Sequence, residues 1–213
     1  MTQGLRERKK AETRDALASA ALRLADELGP DRVTIDNIAT AAGVSPRTFF
    51  NYFASKEDAI VGSSESSTAR VVDALVARPA REAPIDALRA AVHASADHLQ
   101  ADPDDWLIRH RLVGRYPALG VRYAARLAAV EHELVLEIAR RTKLDADVDT
   151  YPAVMVSAAL AASRVALTVW QERDRRGSLP ALFDEVFDQL ASGFTLVSRR
   201  SARRGRAVTV PKR

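Results

Sequence analysis

The apolar positions near the start of the chain recur at the spacing of an amphipathic helix. They occupy the i, i+3, i+4, i+7 and i+11 positions of one helical face, and they are Leu17, Ala20, Ala21, Leu24 and Leu28. Gly29 and Pro30 interrupt the pattern, because glycine and proline are poorly accommodated inside a helix. The pattern therefore predicts a first helix over residues 6–28.

Two shorter helices are predicted next, each with a recognisable start. Thr34 precedes an apolar periodic segment, where its hydroxyl can accept a hydrogen bond from a free backbone amide, and Gly43 ends this second helix. Ser45 precedes a third helix in the same way, and Pro46 takes the first helical position, where its missing amide proton costs nothing. The third helix is predicted to reach about Phe53.

The rest of the chain also predicts helices and no strands. Ser55 begins a Ser-x-x-acid pattern typical of a helix start. The predicted helices cover residues 56–77, 84–101, 104–114, 118–142, 150–175 and 179–198. The sequence thus predicts an all-α protein with a three-helix unit over residues 1–54, a helical bundle over residues 55–198 and a basic tail over residues 199–213.

The second and third predicted helices have the lengths and the intervening glycine turn of a helix-turn-helix, with the third helix as the recognition helix. At 100° per residue, Phe49 and Phe53 lie about 40° apart, and Arg47 and Asn51 point away from them. The guanidinium fits guanine and the carboxamide fits adenine. Phe50 lies at the edge of the buried face, where it either contacts DNA or belongs to the core.

Composition and charge narrow the function classes. The chain is 47% apolar and 28% charged, as in a globular protein, and it has no cysteine. No apolar stretch approaches the roughly 18 residues of a membrane span, and no signal segment opens the chain, so we expect a cytoplasmic protein without membrane contact. The tail carries seven basic residues and no acidic one, which exceeds the formal net charge of +4.

Enzyme motifs are missing from the sequence. There is no His-Glu-x-x-His pair, no phosphate-binding glycine loop and no Gly-x-Ser-x-Gly turn. The histidines are not spaced four residues apart on a helix, and they are His93, His98, His110 and His132. We therefore expect no catalytic activity, no metal site and no cofactor.

The segment TIDNIATAAGVSPRTFFNYFASKEDAI, residues 34–60, resembles the DNA-binding domain of the TetR family of bacterial transcriptional regulators. This resemblance implies an all-helical homodimer of two-domain subunits. The N-terminal helix-turn-helix would bind a palindromic operator on double-stranded DNA, usually to repress, and the C-terminal domain would bind a small-molecule effector.

The resemblance also implies which side chains contact DNA. Phosphate contacts would come from Thr34, Ser45, Tyr52 and Lys56. Base edges would be approached by Pro46, Arg47, Thr48, Phe50 and Asn51. The family most often has tyrosine at position 50, so the phenylalanine here lacks a hydroxyl for a phosphate contact. Lys56 has the alternative of being an ordinary solvated lysine.

A dimer requires a self-complementary face, and the resemblance places it on the last two long helices. Two apolar stripes qualify, one with small side chains that permit close approach and one with large side chains. The predicted interface residues are Ala158, Ala162, Val165, Val169, Leu182, Phe183, Val186, Phe187, Leu190 and Phe194. The alternative is that both stripes pack inside one subunit.

Candidate effector contacts lie on the helices of the larger unit. They are Trp106, Arg109, His110, Tyr123, Met155, Ser163, Leu167 and Trp170, although a tryptophan or methionine in a helical stripe is also typical of a core. The segment 177–188 is similar to TetR-family regulators that sense acyl-CoA thioesters. For such a ligand, a phosphate could be held by Arg109, Arg111, Arg115 or Arg122.

The helix over residues 56–77 is the covalent bridge between the two units. Its segment Gly62–Ser67 is a poor helix former. The segment is therefore either a flexible point, called the soft segment below, through which ligand binding moves the DNA-binding units, or the polar exposed face of a straight helix. The sequence therefore predicts a ligand-responsive DNA-binding regulator, and the resemblance implies that it is a repressor. The alternative is a helical interaction or ligand-binding protein without operator binding.

Overall fold

The computed structural model describes residues 2–62, 69–101 and 103–193, and every regular element in those ranges is helical, which confirms the all-α fold. The long helices are α1 (Thr2–Leu28), α6 (Pro84–Ala101), α7 (Pro103–Arg115), α8 (Pro117–Thr142), α9 (Thr150–Glu172) and α10 (Leu179–Ala191). The short helices are α2 (Ile35–Ala41), α3 (Pro46–Phe49), α4 (Lys56–Val61) and α5 (Ala69–Val76). A 3-10 turn, Pro30–Arg32, joins α1 to α2.

Side-chain caps begin the helices of the N-terminal unit, as the sequence predicts. Thr34 Oγ1 accepts a hydrogen bond from the amide of Asn37 at 3.2 Å, and Oδ1 of Asn37 accepts one from the amide of Thr34 at 3.3 Å. Ser45 and Ser55 accept in the same way from Thr48 N and Asp58 N, each at 3.1 Å. These bonds satisfy amides that have no partner within their helices.

The predicted recognition helix, residues 46–53 and called the recognition segment below, contains less regular α-helix than the sequence predicts. Regular α-helix ends at Phe49, but the amides of Tyr52 and Phe53 both donate to the carbonyl oxygen of Phe49, at 2.9 and 3.1 Å. The amide of Asn51 donates to the carbonyl of Thr48 at 3.1 Å. The chain therefore continues in tight helical turns to Phe53, so the predicted arrangement of faces is retained.

The prediction of one continuous helix over residues 56–77 is wrong. The helix α4 ends at Val61, and Gly62 has a φ of +80° and a ψ of +159°, a backbone conformation outside the helical region. Glycine takes up this conformation readily because it has no Cβ. Residues 63–68 lie outside the described part, so of the predicted soft segment only Gly62 can be placed.

Two hydrophobic clusters organise the molecule. One cluster is formed by the first four helices, α1 through α4, together with Leu112 of α7 and Leu119 of α8. It contains the buried rings of Phe49 and Phe53. The other fills the bundle formed by α5, α6, α8, α9 and α10. The first cluster therefore crosses the boundary that the sequence suggests at residue 54, and α7 and α8 serve as the platform on which the N-terminal unit packs.

The final helix is also shorter than predicted, because α10 ends at Ala191 rather than near residue 198. Phe194 and the basic tail lie outside the described residues. The buried side chains of α10 belong to the subunit's own core: Leu182, Phe183 and Phe187 are at most 9% exposed in a single chain. Their surface is covered by α6 and α9 within one chain, and a contribution of these three residues to a dimer contact stays a prediction.

Candidate functional site

The recognition segment presents polar groups on one side and hides aromatic rings on the other. Phe49 is fully buried and Phe53 is 4% exposed, whereas Arg47 and Asn51 are exposed. Phe50 is 58% exposed and stands edge-on to the ring of Phe49, with their centroids 5.6 Å apart. The structure therefore places Phe50 on the outer surface and leaves it available for a nucleic-acid contact.

The predicted phosphate and base contacts surround this surface, but several side chains also have local partners. The hydroxyls of Ser45 and Thr48 lie 2.8 Å apart, and the hydroxyl of Thr34 donates to Oδ1 of Asn37 at 2.6 Å. Thr34, Ser45 and Pro46 are exposed, and Thr48 is half-buried. Their capping role is therefore present in the structure, and their DNA contacts stay predictions.

Lys56 differs from the prediction of a side chain directed at phosphate or solvent. Its Nζ donates to the carbonyl oxygens of Pro30 and Val33, each at 2.9 Å, and lies 3.4 Å from that of Asp31. The ammonium group therefore fastens the start of α4 to the turn before α2. Tyr52 is half-buried against the N-terminal core, and the phosphate contacts of Tyr52 and Lys56 stay predictions.

A cavity of about 290 Å³ lies in the C-terminal bundle between α7, α8 and α9. It brings together six of the predicted effector contacts, which are Trp106, Arg109, His110, Tyr123, Ser163 and Leu167. Met155 instead lines a separate surface groove, and Trp170 is a core residue whose indole Nε1 donates to the carbonyl of Gly177 at 3.4 Å. Met155 and Trp170 therefore do not line this cavity, and their contact with an effector stays a prediction.

Sequence reasoning missed the long contribution of α8 to the cavity. The additional lining residues on this helix are Arg126, Leu127, Val130, Glu131 and Leu134. Together with Tyr123 they recur at three- and four-residue intervals, which is the spacing of one helical face. That periodicity could have identified these residues from the sequence, because Tyr123 was already a candidate and the others lie on the same helical face.

The end of the cavity nearest the N-terminal unit is cationic and aromatic. The ring of His110 stacks on Trp106, with centroids 4.3 Å apart, and meets Tyr123 edge-on. Partial burial, and secondarily the charge of Arg109, lowers the pKa of His110 below its usual value of 6.5. Burial lowers the pKa of Arg126 to about 10, with a further contribution from Arg109, so Arg126 remains protonated at neutral pH.

The other predicted phosphate-binding arginines have different roles. Arg111 pairs with Asp26 of α1 and Arg122 with Asp58 of α4, each at 2.7 Å. Arg115 lies over the ring of Tyr116 rather than at the cavity. Only Arg109 of the predicted four lines the cavity. Among the described residues, no group of three or more His, Asp or Glu side chains is arranged to hold a metal ion.

Comparison with known proteins places the two parts of the chain in one family. The family model described as "Bacterial regulatory proteins, tetR family" matches residues 17–59, which hold the helix-turn-helix, and the model described as "MftR C-terminal domain" matches residues 82–195. The transcriptional regulator TcmR of Streptomyces glaucescens is 34% identical over 195 residues, covering 88% of this chain and 86% of TcmR. The chain belongs to the TetR family. It is accordingly a DNA-binding, ligand-binding transcriptional regulator.

Solved structures of TetR-family proteins share this fold. The fatty acid degradation regulator FadR from Bacillus halodurans superposes with a TM-score of 0.60 at 23% identity, covering 88% of this chain and 97% of that protein. FadR of Thermus thermophilus, solved in complex with lauroyl-CoA, superposes with a TM-score of 0.54 at 20% identity, covering 93% and 99%. At these identities the likeness shows a shared fold.

An apolar face of α9 remains uncovered in this TetR-family subunit. Val154 and Val165 are 64% and 56% exposed, and Ala158 and Ala162 lie between them, half-buried. By length and composition α9 is the one described helix apolar enough to cross a membrane, a test that core helices of globular proteins also pass. Tyr151 continues the same surface at the start of the helix. The face is contiguous and therefore suited to contact with another protein surface.

Proposed function

We propose that the protein is a ligand-responsive repressor that binds a palindromic operator as a homodimer and is released by a small apolar or acyl-CoA-like effector. The observation that carries this proposal is the pair of exposed side chains, Arg47 and Asn51, on a recognition segment anchored by the buried rings of Phe49 and Phe53. We infer a cytoplasmic location for the protein as well, because a bacterial transcriptional regulator acts on DNA in the cytoplasm.

The exposed face of α9 supports the homodimer. One recognition helix reads too few base pairs to select a site in a genome, whereas two helices held about one DNA turn apart read a palindrome. Small side chains at Ala158 and Ala162 allow two copies of α9 to approach closely, and Val165 and Val169 extend the contact. Val186 and Leu190 of α10 are half-buried beside this face and complete the proposed interface.

The cavity supports a compact effector. Its volume of about 290 Å³ lies at the lower limit of the roughly 300–1,000 Å³ typical of ligand sites, and most of its lining is apolar. FadR of Thermus thermophilus holds lauroyl-CoA. In the present protein we expect an acyl chain to occupy the cavity, and the nucleotide of a CoA thioester would have to lie outside it.

The test of this proposal is selection of duplexes from a random DNA pool with the full-length protein. We expect an inverted repeat to be enriched, since a symmetric dimer presents the same reading surface twice. Arg47→Ala and Asn51→Ala should each weaken binding to that site by about 1–3 kcal/mol, with the loss restricted to particular base positions.

The matched control is Arg81→Ala. Arg81 is exposed in the loop between α5 and α6, so its replacement removes one positive charge far from the recognition segment. It should leave site selection unchanged. Failure of the parent protein to enrich any duplex, with its ligand binding intact, would support the alternative of a ligand-binding protein without operator recognition.

A further inference from the structure

Two arginines belong both to the ligand cavity and to the end of α4. Arg126 of α8 donates through Nη1 to the backbone carbonyl oxygens of Val61 and Gly62, the second at 2.9 Å. Nε of Arg109 on α7 lies 3.5 Å from the carbonyl oxygen of Ile60. Both guanidinium groups also line the cavity. The same cations therefore face the last turn of α4 and the space in which an effector would bind.

The contacts with α4 are favourable but replaceable. The last carbonyls of a helix have no partner within it and carry the negative end of the helix dipole, so a guanidinium stabilises them. Hydrogen bonds from a guanidinium to a carboxylate or phosphate are roughly twice as strong as bonds between neutral groups, and they are often bidentate. An anion in the cavity would therefore compete with the carbonyls for Arg126 and Arg109.

A second arginine of α8 shows how the contacts of Arg126 differ from a purely structural cap at the end of a helix. Arg141, also on α8, is buried and donates to the carbonyl oxygens of Leu75 and Arg78 at the end of α5. Its Nε pairs with the carboxylate of Glu137 at 2.9 Å, and neither residue lines the cavity. Arg141 is thus a fixed support, whereas Arg126 performs the same capping at a surface that a ligand can reach.

We infer that the effector is an amphipathic acid whose anionic head binds Arg126 and Arg109 and draws them away from the end of α4. The inference rests on the proposed function, and it names the effector's chemical class and the step by which binding reaches the DNA-binding unit. The apolar body would lie against side chains such as Leu127, Leu160 and Leu167. The head is either the carboxylate of a fatty acid or a phosphate of a CoA thioester.

The charge distribution of the cavity orients the ligand. Glu131 lines it five residues beyond Arg126 on α8, roughly 7.5 Å further along the helix axis, and its carboxylate accepts a hydrogen bond from the hydroxyl of Ser157. An anionic head is repelled from Glu131 and attracted to Arg126 and Arg109. Arg164 of α9 also lines the cavity, but the described contacts do not connect it to α4.

The path from α4 to the recognition segment is short. α4 begins at Lys56, which follows Asn51 by five residues, and its first turn is held by the Arg122–Asp58 ion pair at 2.7 Å. Loss of the contacts at Val61 and Gly62 would free one end of α4 while the other stays attached to α8. A tilt of α4 changes the separation of the two recognition helices in a dimer, and by linkage operator binding must weaken acid binding equally.

The first experiment measures ligand binding by calorimetry with the full-length protein in the absence of DNA. Decanoate is the probe, decanamide is its neutral counterpart, and decanoyl-CoA tests the thioester as the source of the anion. We expect decanoate or decanoyl-CoA to bind at least tenfold more tightly than decanamide. Equal binding of decanamide, or no binding by either anionic probe, would overturn the inference.

Variants then assign the preference to one side chain. Arg126→Gln should remove the advantage of the anionic probe over decanamide, and Arg126→Lys, which keeps the charge without the bidentate fork, should retain part of it. Arg81→Gln, at an exposed arginine outside the cavity lining, should leave the preference intact. The inference fails if Arg126→Gln preserves the preference or if Arg81→Gln abolishes it.

The second experiment reads out α4 itself. The bound acid, but not decanamide, should accelerate hydrogen exchange of the amides at the end of α4 and weaken binding to the selected operator at least tenfold. Arg126→Gln should produce both effects without ligand. Acid binding with unchanged exchange in α4 would refute the release step. A protein that binds no DNA would instead refute the proposed function, and the calorimetry and exchange would still decide the inference.

Discussion

His110 illustrates how position in the fold changes the chemistry of one side chain. It stands at the cavity between Trp106 and Tyr123, and its ring is stacked on one and edge-on to the other. Partial burial, with the neighbouring charge of Arg109 as a smaller cause, lowers its pKa below 6.5. The imidazole is therefore held neutral at physiological pH, and it serves the cavity as a flat aromatic wall.

The lowered pKa of His110 predicts a pH dependence of stability. Below pH 6.5 the unfolded chain takes up a proton that the folded protein resists, so the free energy of unfolding falls as the pH falls through the folded-state pKa. His110→Gln should flatten this decrease below about pH 6.5, as measured by urea unfolding. The exposed His132, changed to Gln, controls for removal of a histidine. A parent-like slope in His110→Gln would contradict the assigned burial.

The helices show which features local sequence determines. The faces of the recognition segment are predictable because the positions of Phe49 and Arg47 follow from helical periodicity alone. The sequence marks Gly62–Ser67 as a poor helix former, but it does not fix the end of α4 at Gly62, because the contacts there come from α7 and α8. The same holds for Lys56, whose three carbonyl partners are more than 20 residues away in sequence. Tertiary partners, rather than propensity, settle these positions.

Gly62→Ala should destabilise the protein. The backbone at Gly62 has a φ of +80°, which an L side chain rarely adopts, and a Cβ there would lie 3.1 Å from Nη1 of Arg126 and 3.3 Å from Nη2 of Arg109. We expect the free energy of unfolding to fall by about 1–3 kcal/mol, measured by denaturant titration. The same substitution would also disturb both arginines, so a change in induction would not by itself demonstrate a soft segment.

Gly114→Ala is the matched control for that substitution. Gly114 lies within α7, where an added Cβ has no atom within 4 Å, and alanine is about 1 kcal/mol more favourable than glycine in a helix interior. This variant should be as stable as the parent or more stable. If Gly62→Ala and Gly114→Ala had equal stabilities, the backbone at Gly62 would not be constrained as the structure shows.

The two hydrophobic clusters determine which parts of the molecule a dimer through α9 would hold together. The N-terminal core includes Leu112 and Leu119, and ion pairs connect α7 to α1 and α8 to α4, so α7 and α8 are packed against the unit that carries the recognition segment. The uncovered face of α9 lies on the other cluster. A dimer formed through α9 would therefore hold the sensing bundles together and leave the DNA-binding units free to change their separation.

Val165→Glu tests that assembly. Val165 is 56% exposed in the subunit, so a glutamate there should leave the fold intact, but in a dimer it would bury an uncompensated charge. We expect the dimer to dissociate at least tenfold more readily by sedimentation equilibrium, and operator affinity to fall with it because a monomer reads only half a palindrome. Val121→Glu, 72% exposed on α8, should remain a dimer. If both variants dimerise like the parent, α9 is not the contact, and its apolar face requires a different partner.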